Sequence, residues 1–138
     1  MRRRQQGIAL LEALLAILIL AIGLLGTIGL QARAYSALSD SAMRAEATLA
    51  TEKLLGVMSC DQANLAAYAI ASGGTPGARL AAWYNQTRSV IPGADIVITV
   101  TPTIGTTRSA VVARISWTRK TGGQLNSHQL TSYIAQSL

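Results

Sequence analysis

An apolar stretch from Ile8 to Leu30 constrains the fold of this chain more than any other feature. The stretch, IALLEALLAILILAIGLLGTIGL, would form a helix about 34 Å long, enough to cross a hydrocarbon core of about 30 Å. It has no charge from Ala13 onward, and it is not closed by the small-x-small cleavage site of an ordinary secretory signal. The sequence therefore predicts a membrane span that remains on the mature chain.

The charges around this span indicate its orientation. Arg2, Arg3 and Arg4 precede it, and no comparable basic cluster follows directly. Because basic residues stay on the cytoplasmic side of a membrane, we expect Met1 in the cytoplasm and the chain beyond Leu30 outside it.

Glu12 is the only charged residue between Gly7 and Arg33. A carboxylate inside the membrane costs about 2.5–3.5 kcal/mol on insertion scales unless it is paired or lies in an interface, so it is a functional candidate by default. The alternative is a plain signal anchor whose stray glutamate reaches back to the membrane surface.

The residues around Glu12 resemble the class III signal of type IV pilins. The resemblance lies in QQGIALLE, residues 5–12, and in the apolar run behind it. Leu10–Gln31 is most similar to the minor pilins called PilV, or type IV pilus modification proteins. Ile8 and Ala9 depart from the commonest pattern, which has phenylalanine and then threonine or serine, but the small residue before the cut and the acid after it are kept.

In that family a membrane-embedded prepilin peptidase cuts after the glycine and methylates the new amino terminus. The resemblance implies that residues 1–7 are a leader, that the cut follows Gly7, and that Ile8 becomes the methylated terminus. Glycine suits such a site because it does not obstruct the protease and leaves a helix easily. The family's glutamate, here Glu12, is thought to align each subunit by pairing with a neighbour's N-terminal ammonium, since two opposite charges are buried together at lower cost than one alone.

Three glycines, Gly23, Gly26 and Gly29, interrupt the second half of the span, and each costs up to about 1 kcal/mol of helix propensity relative to alanine. They would either permit close helix approach or let the helix loosen when it leaves lipid for a packed filament. The resemblance favours the second interpretation.

The helix is predicted to continue through residues 31–58, which lack proline and are rich in good helix formers. Two apolar stripes lie on different sides of this helix, so one is expected to pack on the chain's own head and the other on other subunits; chance stripes in an alanine-rich helix are the alternative. The first stripe is Tyr35, Leu38, Ala42, Ala45 and Leu49; the second is Met43, Ala47, Ala50, Leu54 and Met58.

Residues 59–138 are predicted to form one small head, close to the lower size limit for an independent core. After the loop at Gly73, Thr75 and Pro76 resemble the N-cap and first residue of a short helix that ends before Pro92. Its apolar face would consist of Leu80, Trp83, Tyr84, Thr87 and Ile91.

The rest of the head is predicted to be β-structure. Asp95–Thr101 and Ser109–Thr118 alternate and are rich in β-branched residues, which predicts adjacent antiparallel strands, and Gln129–Ala135 is a weaker third strand. The predicted fold is α+β and pilin-like, with a long N-terminal transmembrane and amphipathic helix packed on a small antiparallel β-sheet of three or more strands.

The sequence offers little for catalysis. With one histidine, His128, and one cysteine, Cys60, neither a metal cluster nor a Cys/His pair has enough members. Asp61 and Asp95 lie beside predicted element boundaries, where capping or turn formation explains them better than acid-base chemistry. We therefore expect no enzyme, no cofactor and no metal. Cys60 is expected to be buried as a small apolar residue; the alternative is a thiol that pairs with another subunit.

The net charge of +6 includes three leader arginines, so the mature chain has nine basic and six acidic residues, a net charge of +3 before its terminus is considered. Arg108, Arg114, Arg119 and Lys120 surround the predicted strands. Protection of a sheet edge by basic side chains is favoured over binding of nucleic acid or anionic glycans.

Three functions are compatible with these features. The first is a PilV-like minor pilin that helps initiate the pilus, near its tip, and modulates adhesion and motility. Its partners would be prepilin peptidase, other minor pilins, the major pilin, an inner-membrane assembly platform and a tip adhesin. It would reside in the inner membrane with a periplasmic head and then on the extracellular pilus. The alternatives are a type II secretion minor pseudopilin of the I type and a membrane-anchored periplasmic binding domain.

Overall fold

The structure is a computed structural model that describes residues 6–119 and 122–135. Its elements in chain order are α1 (Gln6–Cys60), a 3₁₀ segment (Gln62–Tyr68), α2 (Ala78–Val90), β1 (Asp95–Pro102), β2 (Arg108–Thr118) and β3 (Leu125–Ala135). The chain divides into two units, residues 1–40 and residues 41–138. The first five leader residues and Lys120, for which predictions are made above, lie outside the described residues.

The long helix and the sheet confirm the predicted α+β, pilin-like fold. Helix α1 ends at Cys60, close to the predicted end at Met58. The second stripe packs into the head, where Leu54 and Met58 are buried, whereas the first stripe is exposed along its length. The two sides of α1 therefore have different environments, which a chance distribution of alanine and leucine does not predict.

One apolar core joins α1, α2 and the sheet. Trp83 of α2 is tied to α1 because its indole Nε1–H donates a hydrogen bond to the carbonyl oxygen of Ala50 at 2.8 Å. The buried Thr51 hydroxyl is satisfied by the carbonyl oxygens of Ala47 and Thr48 within its own helix. The largest fully buried side chains are Trp117, Leu54, Met58, Leu65, Leu80, Ile91, Ile96, Ile98, Ile115, Val111 and Thr51.

The sheet is antiparallel with strand order β1-β2-β3. Ile96 pairs with Ile115 and Ile98 with Ala113, and all four side chains are buried. The turn between β1 and β2 contains Gly105, whose φ of 77° lies in the left-handed region that glycine adopts without strain. Alternation of side chains along the strands thus places one face of the sheet on α1 and leaves the other to solvent.

The predicted start of α2 is wrong. The helix begins at Ala78 with Gly77 as its N-cap, and no side chain caps it, so Thr75 and Pro76 precede the helix. The Gly77 carbonyl oxygen accepts hydrogen bonds from the N–H groups of Leu80 and Ala81. A Cβ at Gly77 would lie 3.4 Å from the carbonyl oxygen of Ala67. The turn is therefore positioned by packing on the 3₁₀ segment, a tertiary effect that overrides the local capping signal.

The third strand is longer than predicted. It begins at Leu125 and pairs with β2 along its whole length, from Leu125 opposite Thr118 to Ala135 opposite Arg108. Asn126 and Ser127 have low strand propensity, which is why the sequence predicts a start at Gln129. Pairing with the strongly β-branched β2 outweighs that local preference.

Asp61 fastens the loop that follows α1. Its carboxylate accepts hydrogen bonds from the side chains of Asn64 at 2.7 Å, Tyr68 at 2.9 Å and Arg79 at 2.6 Å. The hydrogen bonds from Asn64 and Tyr68, and then the charge of Arg79, hold the pKa of Asp61 below its ordinary value. Asp61 thereby connects the end of α1, the 3₁₀ segment and the start of α2, the kind of turn-forming role that the sequence predicts.

Asp95 plays a similar part at the start of β1. Its carboxylate accepts hydrogen bonds from the Ser72 hydroxyl at 2.8 Å and from the Gly73 N–H at 3.1 Å. Gly73 has a φ of 67°, which the turn requires. The prediction that Asp95 forms a turn is confirmed.

The preferred prediction for Cys60 is wrong, because the residue is exposed at the end of α1. The last turn directs this side chain away from the core, whereas Met58 occupies the buried position two residues earlier. Pairing of Cys60 with another subunit stays a prediction.

We expect Leu54→Ala to lower the free energy of unfolding of the head by about 2–5 kcal/mol, because it leaves a cavity in the core. Leu54 is 1% exposed, whereas Leu49 on the other side of the same helix is 59% exposed. Leu49→Ala is therefore the matched control and should change stability by about 0.5 kcal/mol or less. Urea titration of the full chain in detergent, followed by the fluorescence of the buried Trp83 and Trp117, measures both. Equal losses in the two variants would contradict the described core.

We expect the head to lose stability in acid partly through Asp61. The pKa of Asp61 is lower in the folded chain than the ordinary 3.8. Its contribution to the stability of the head is therefore complete above pH 3.8 and is lost as the pH falls through the lower pKa of the folded chain. Asp61→Asn should therefore lower the melting temperature at neutral pH, and the difference from the natural chain should shrink below about pH 3.8. Glu52→Gln, at an exposed position of α1, is the control. A difference that is constant with pH would contradict the carboxylate's role.

Candidate functional site

The residues predicted for processing lie in the first turns of α1. Because α1 begins at Gln6, the bond between Gly7 and Ile8 lies within helical backbone. A protease needs this bond in an extended form, so the first turn has to unwind before cleavage. Gly7 lowers the cost of unwinding, since glycine is about 1 kcal/mol less favourable than alanine in a helix.

Glu12 lies one helical turn beyond Ile8 and on the same face of α1. Four residues correspond to about 6 Å along the helix axis. Among the described residues, none gives Glu12 a hydrogen bond or an ion pair. In an apolar environment, the charge on Glu12 therefore has to be met by a group that is not among the described residues.

The span around Glu12 is fully uncovered. Its leucine and isoleucine side chains from Ile8 to Leu30 are between 51% and 70% exposed. The one clearly polar side chain after Glu12, Thr27, donates its hydroxyl to the carbonyl oxygen of Leu24 at 2.8 Å. Helix α1 is long and apolar enough to cross a membrane. So much exposed apolar surface is stable only in lipid or against other apolar helices.

Within the part of the chain that the structure describes, nothing packs against the glycines of the span. A Cβ at Gly23, Gly26 or Gly29 would meet no described atom within 4 Å. Their absence of a side chain can therefore matter only to the backbone of α1 or to molecules that pack on it. Close helix approach and local loosening of the helix both stay predictions.

The first stripe of α1 is a second uncovered apolar surface. Tyr35 is 72% exposed and Leu38 is 67% exposed. In the head, Leu49 of the same stripe also lines a shallow groove between α1 and α2, where the Lys53 ammonium donates to the side-chain oxygen of Gln86 at 2.7 Å. The groove is lined by Glu46, Leu49, Ala50, Lys53, Trp83, Gln86, Thr87, Val90 and Ile91. Leu49, Ala50, Trp83, Val90 and Ile91 form the apolar part of this lining, and Glu46 and Lys53 are its charged side chains.

The remaining candidates do not form a site. His128 lies in β3, and its Nε2 and the Nε1 of Trp117 are buried without a hydrogen-bond partner in the described structure. Within residues 6–119 and 122–135, no three histidine, cysteine or acidic side chains come together as metal ligands. Arg108 starts β2 and Arg119 follows its end, about 36 Å apart along the strand. Arg108 and Arg119 therefore lie at opposite ends of β2. Because β2 is the central strand of the described sheet, the prediction that Arg108 and Arg114 protect a sheet edge is wrong.

Comparison with known families finds one relation at the N-terminus. The model of the prokaryotic N-terminal methylation motif matches residues 2–28. This segment includes Gly7, Ile8, Glu12 and most of the apolar span. No curated protein sequence and no solved structure matches the chain. The head is therefore characterised by its own structure, and the N-terminal segment by the motif.

We expect Gly7→Val to block removal of the leader, because a branched side chain obstructs the bond and disfavours the tight backbone approach that glycine allows. Co-expression with a prepilin peptidase, followed by measurement of the intact mass, distinguishes a chain that starts at Ile8 with one added methyl group from a chain that starts at Met1. Gln6→Val is the control, since it places the same side chain one residue away. Full processing of Gly7→Val would contradict the assignment of the cut.

Proposed function

Because the chain carries the prokaryotic N-terminal methylation motif, which supports a type IV pilin or pseudopilin-like protein, we propose that it is a minor type IV pilin. In this role it helps to initiate the pilus, near its tip, and modulates adhesion and motility. The observation that carries the proposal is the match over residues 2–28 together with the glutamate that follows the predicted cut. The similarity of Leu10–Gln31 to PilV minor pilins supports the minor role.

The first step of the function is insertion and processing. The leader with its arginines stays in the cytoplasm, α1 spans the inner membrane, and the head lies in the periplasm. Prepilin peptidase cuts after Gly7 and methylates Ile8. A charged ammonium then lies at the membrane surface, one turn above Glu12.

The second step is docking of the helix in the filament. Glu12 has no partner among the described residues, and moving it from the membrane into a filament buries it further. An N-terminal ammonium of a neighbouring subunit satisfies the charge and fixes the axial position of one helix against the next. Exposed leucine and isoleucine side chains of the span then exchange lipid for apolar side chains of other subunits, at small cost in hydrophobic energy.

The third contribution comes from the first stripe. The second stripe packs in the core of the head, whereas Tyr35, Leu38 and Leu49 are exposed on α1. A helix with one face in its own core and another face open can join a bundle of subunits without unfolding its head. This division supports a subunit of an assembly over a tethered binding domain, which has no use for the open face.

The proposal is tested by where the processed chain is found. A tagged chain expressed at its natural level should be recovered with surface pili sheared from cells, and its terminus should be methylated Ile8. Recovery with a short periplasmic pseudopilus and a dependence on type II secretion would identify the pseudopilin alternative. A chain that keeps residues 1–7 in cells with active prepilin peptidase would contradict both.

We expect Glu12→Ala and Glu12→Gln to be processed normally but to be lost from sheared pili. Losing one partner of a buried charge pair costs about 3–5 kcal/mol. This cost weakens the docking of the subunit enough that it should no longer be detected in sheared pili. Thr27→Val is the control, because it removes a polar group of the same span whose hydrogen bond is local. Normal incorporation of Glu12→Gln would contradict the pairing of charges.

A further inference from the structure

Strand β3 is an edge of the sheet without the usual protection. It contains no proline, no glycine and no lysine, arginine, aspartate or glutamate. Its register with β2 is continuous, so no bulge turns the edge away. Edge strands in soluble proteins are normally short, charged, bulged or covered, because their free N–H and C=O groups pair with other strands.

The outward backbone groups of β3 can be identified from the pairing. Ile98 of β1 exchanges backbone hydrogen bonds with Ile70 at 3.0 and 2.9 Å, so its N–H and C=O point away from β2. The direction of the N–H and C=O groups alternates from one residue to the next along an antiparallel strand. Those of Val112 therefore bond to β1, and those of Val111 bond to Ser132 of β3. Every second residue of β3 therefore directs its N–H and C=O outward, and all of these residues are exposed: Leu125, Ser127, Gln129, Thr131, Tyr133 and Ala135.

The other edge strand of the sheet, β1, is partly covered. Ile70 covers the middle of β1 through its two hydrogen bonds to Ile98. Pro102 ends the strand and has no N–H to offer. Only the β3 edge of this sheet presents an uninterrupted row of donors and acceptors within the described residues.

We propose that the β3 edge binds an extended strand of a different polypeptide, which adds to the sheet as a fourth strand. Addition of a strand satisfies the outward backbone groups, and the exposed side chains beside them provide side-chain contacts. Leu125 and Tyr133, each 67% exposed, are the large apolar side chains on that face of β3.

A second copy of the chain fits this edge poorly. Its β3 strand contains no aspartate or glutamate, and pairing of two β3 strands would join two sheets that each carry Arg108 and Arg114. Pairing of β3 with β1 of another copy is obstructed by Ile70, which already bonds to the middle of β1. The favoured occupant is therefore a strand of a different polypeptide.

The charge of the sheet indicates the chemistry of the added strand. No acidic residue follows Asp95 in the sequence, whereas Arg108 and Arg114 lie on β2. Arg108 is opposite Ala135 and Arg114 is opposite Gln129, one strand away from the free edge. At about 10 Å from an added strand these charges act within a Debye length. The favoured partner strand therefore carries aspartate or glutamate and no lysine or arginine.

The test uses the full chain in detergent and a synthetic nonapeptide, Thr-Glu-Thr-Val-Thr-Val-Thr-Glu-Thr with blocked ends. Hydrogen exchange of single amides is measured by NMR as the peptide is added. We expect the outward amides of Ser127, Gln129, Thr131 and Tyr133 to exchange slower by about tenfold or more. The alternate amides, which already bond to β2, should change little. This alternation identifies strand addition, since binding to the face of the sheet would not produce it.

Two controls separate pairing from general adhesion. A peptide with N-methyl groups on both of its pairing edges, and the chain variant Thr131→Pro, both remove backbone donors and should abolish the protection. Thr131→Val keeps the N–H and should retain it, and a peptide with lysine in place of both glutamates should bind about tenfold more weakly. If Thr131→Pro does not fold, the N-methylated peptide still decides the result.

Several outcomes overturn the proposal. They are no protection at the highest soluble peptide concentration, protection without alternation, and equal binding of the N-methylated peptide. Alternating protection that develops with protein concentration in the absence of peptide would identify a second copy as the occupant instead. All readouts use the isolated chain, so a failure here leaves the tests of processing and pilus incorporation unaffected.

Discussion

The charge of Glu12 in an apolar helix is the constraint on which the rest of this molecule depends. The carboxylate has no partner among the described residues, and hydrocarbon offers it none. It lies within the segment that matches the methylation motif, and in the proposed function the new amino terminus forms one turn away from it. The proposal therefore makes the single subunit incomplete, because the Glu12 carboxylate has to pair with the N-terminal ammonium of a neighbouring subunit. It also couples assembly to processing, since that ammonium exists only after the leader is removed.

In the head, one side of α1 is buried in the core and the other side is exposed. One side of α1 supplies Leu54 and Met58 to the core, and the Trp83 indole fixes α2 on the same helix. Asp61 and Asp95 then hold the connecting loops without a disulfide, through hydrogen bonds to five neighbouring groups. The opposite side of α1 takes no part in this core. In the proposed function, the core can therefore stay intact while the helix exchanges lipid for other subunits.

The sequence predicts the parts of this structure that depend on periodicity. Both stripes of α1 follow from a period of 3.6 residues, and β1 and β2 follow from a period of 2 residues. The span follows from the length of its unbroken apolar run. The starts of α2 and β3 depend on tertiary contacts instead: Gly77 approaches Ala67, and Asn126 is held in a strand by pairing with Trp117. The link between Asp61 and Arg79 joins residues from different elements, and no local pattern marks it. For the candidate site, Glu12 is predicted because it is the lone charge of the apolar span, and Gly7 is predicted from the resemblance to pilin signals. The free edge of β3 is visible only once the strand order is known.

The measurement that tests the central claim most directly is the distance between the Glu12 carboxyl carbon and the terminal nitrogen of a neighbouring subunit in the assembled complex. Glu12 is labelled with carbon-13 in this chain and the amino termini of the other subunits with nitrogen-15, and dipolar coupling is measured by solid-state NMR. The account predicts an intermolecular contact within about 4 Å, with the carboxyl group ionised. A carboxyl group that couples to no nitrogen of another subunit would contradict it.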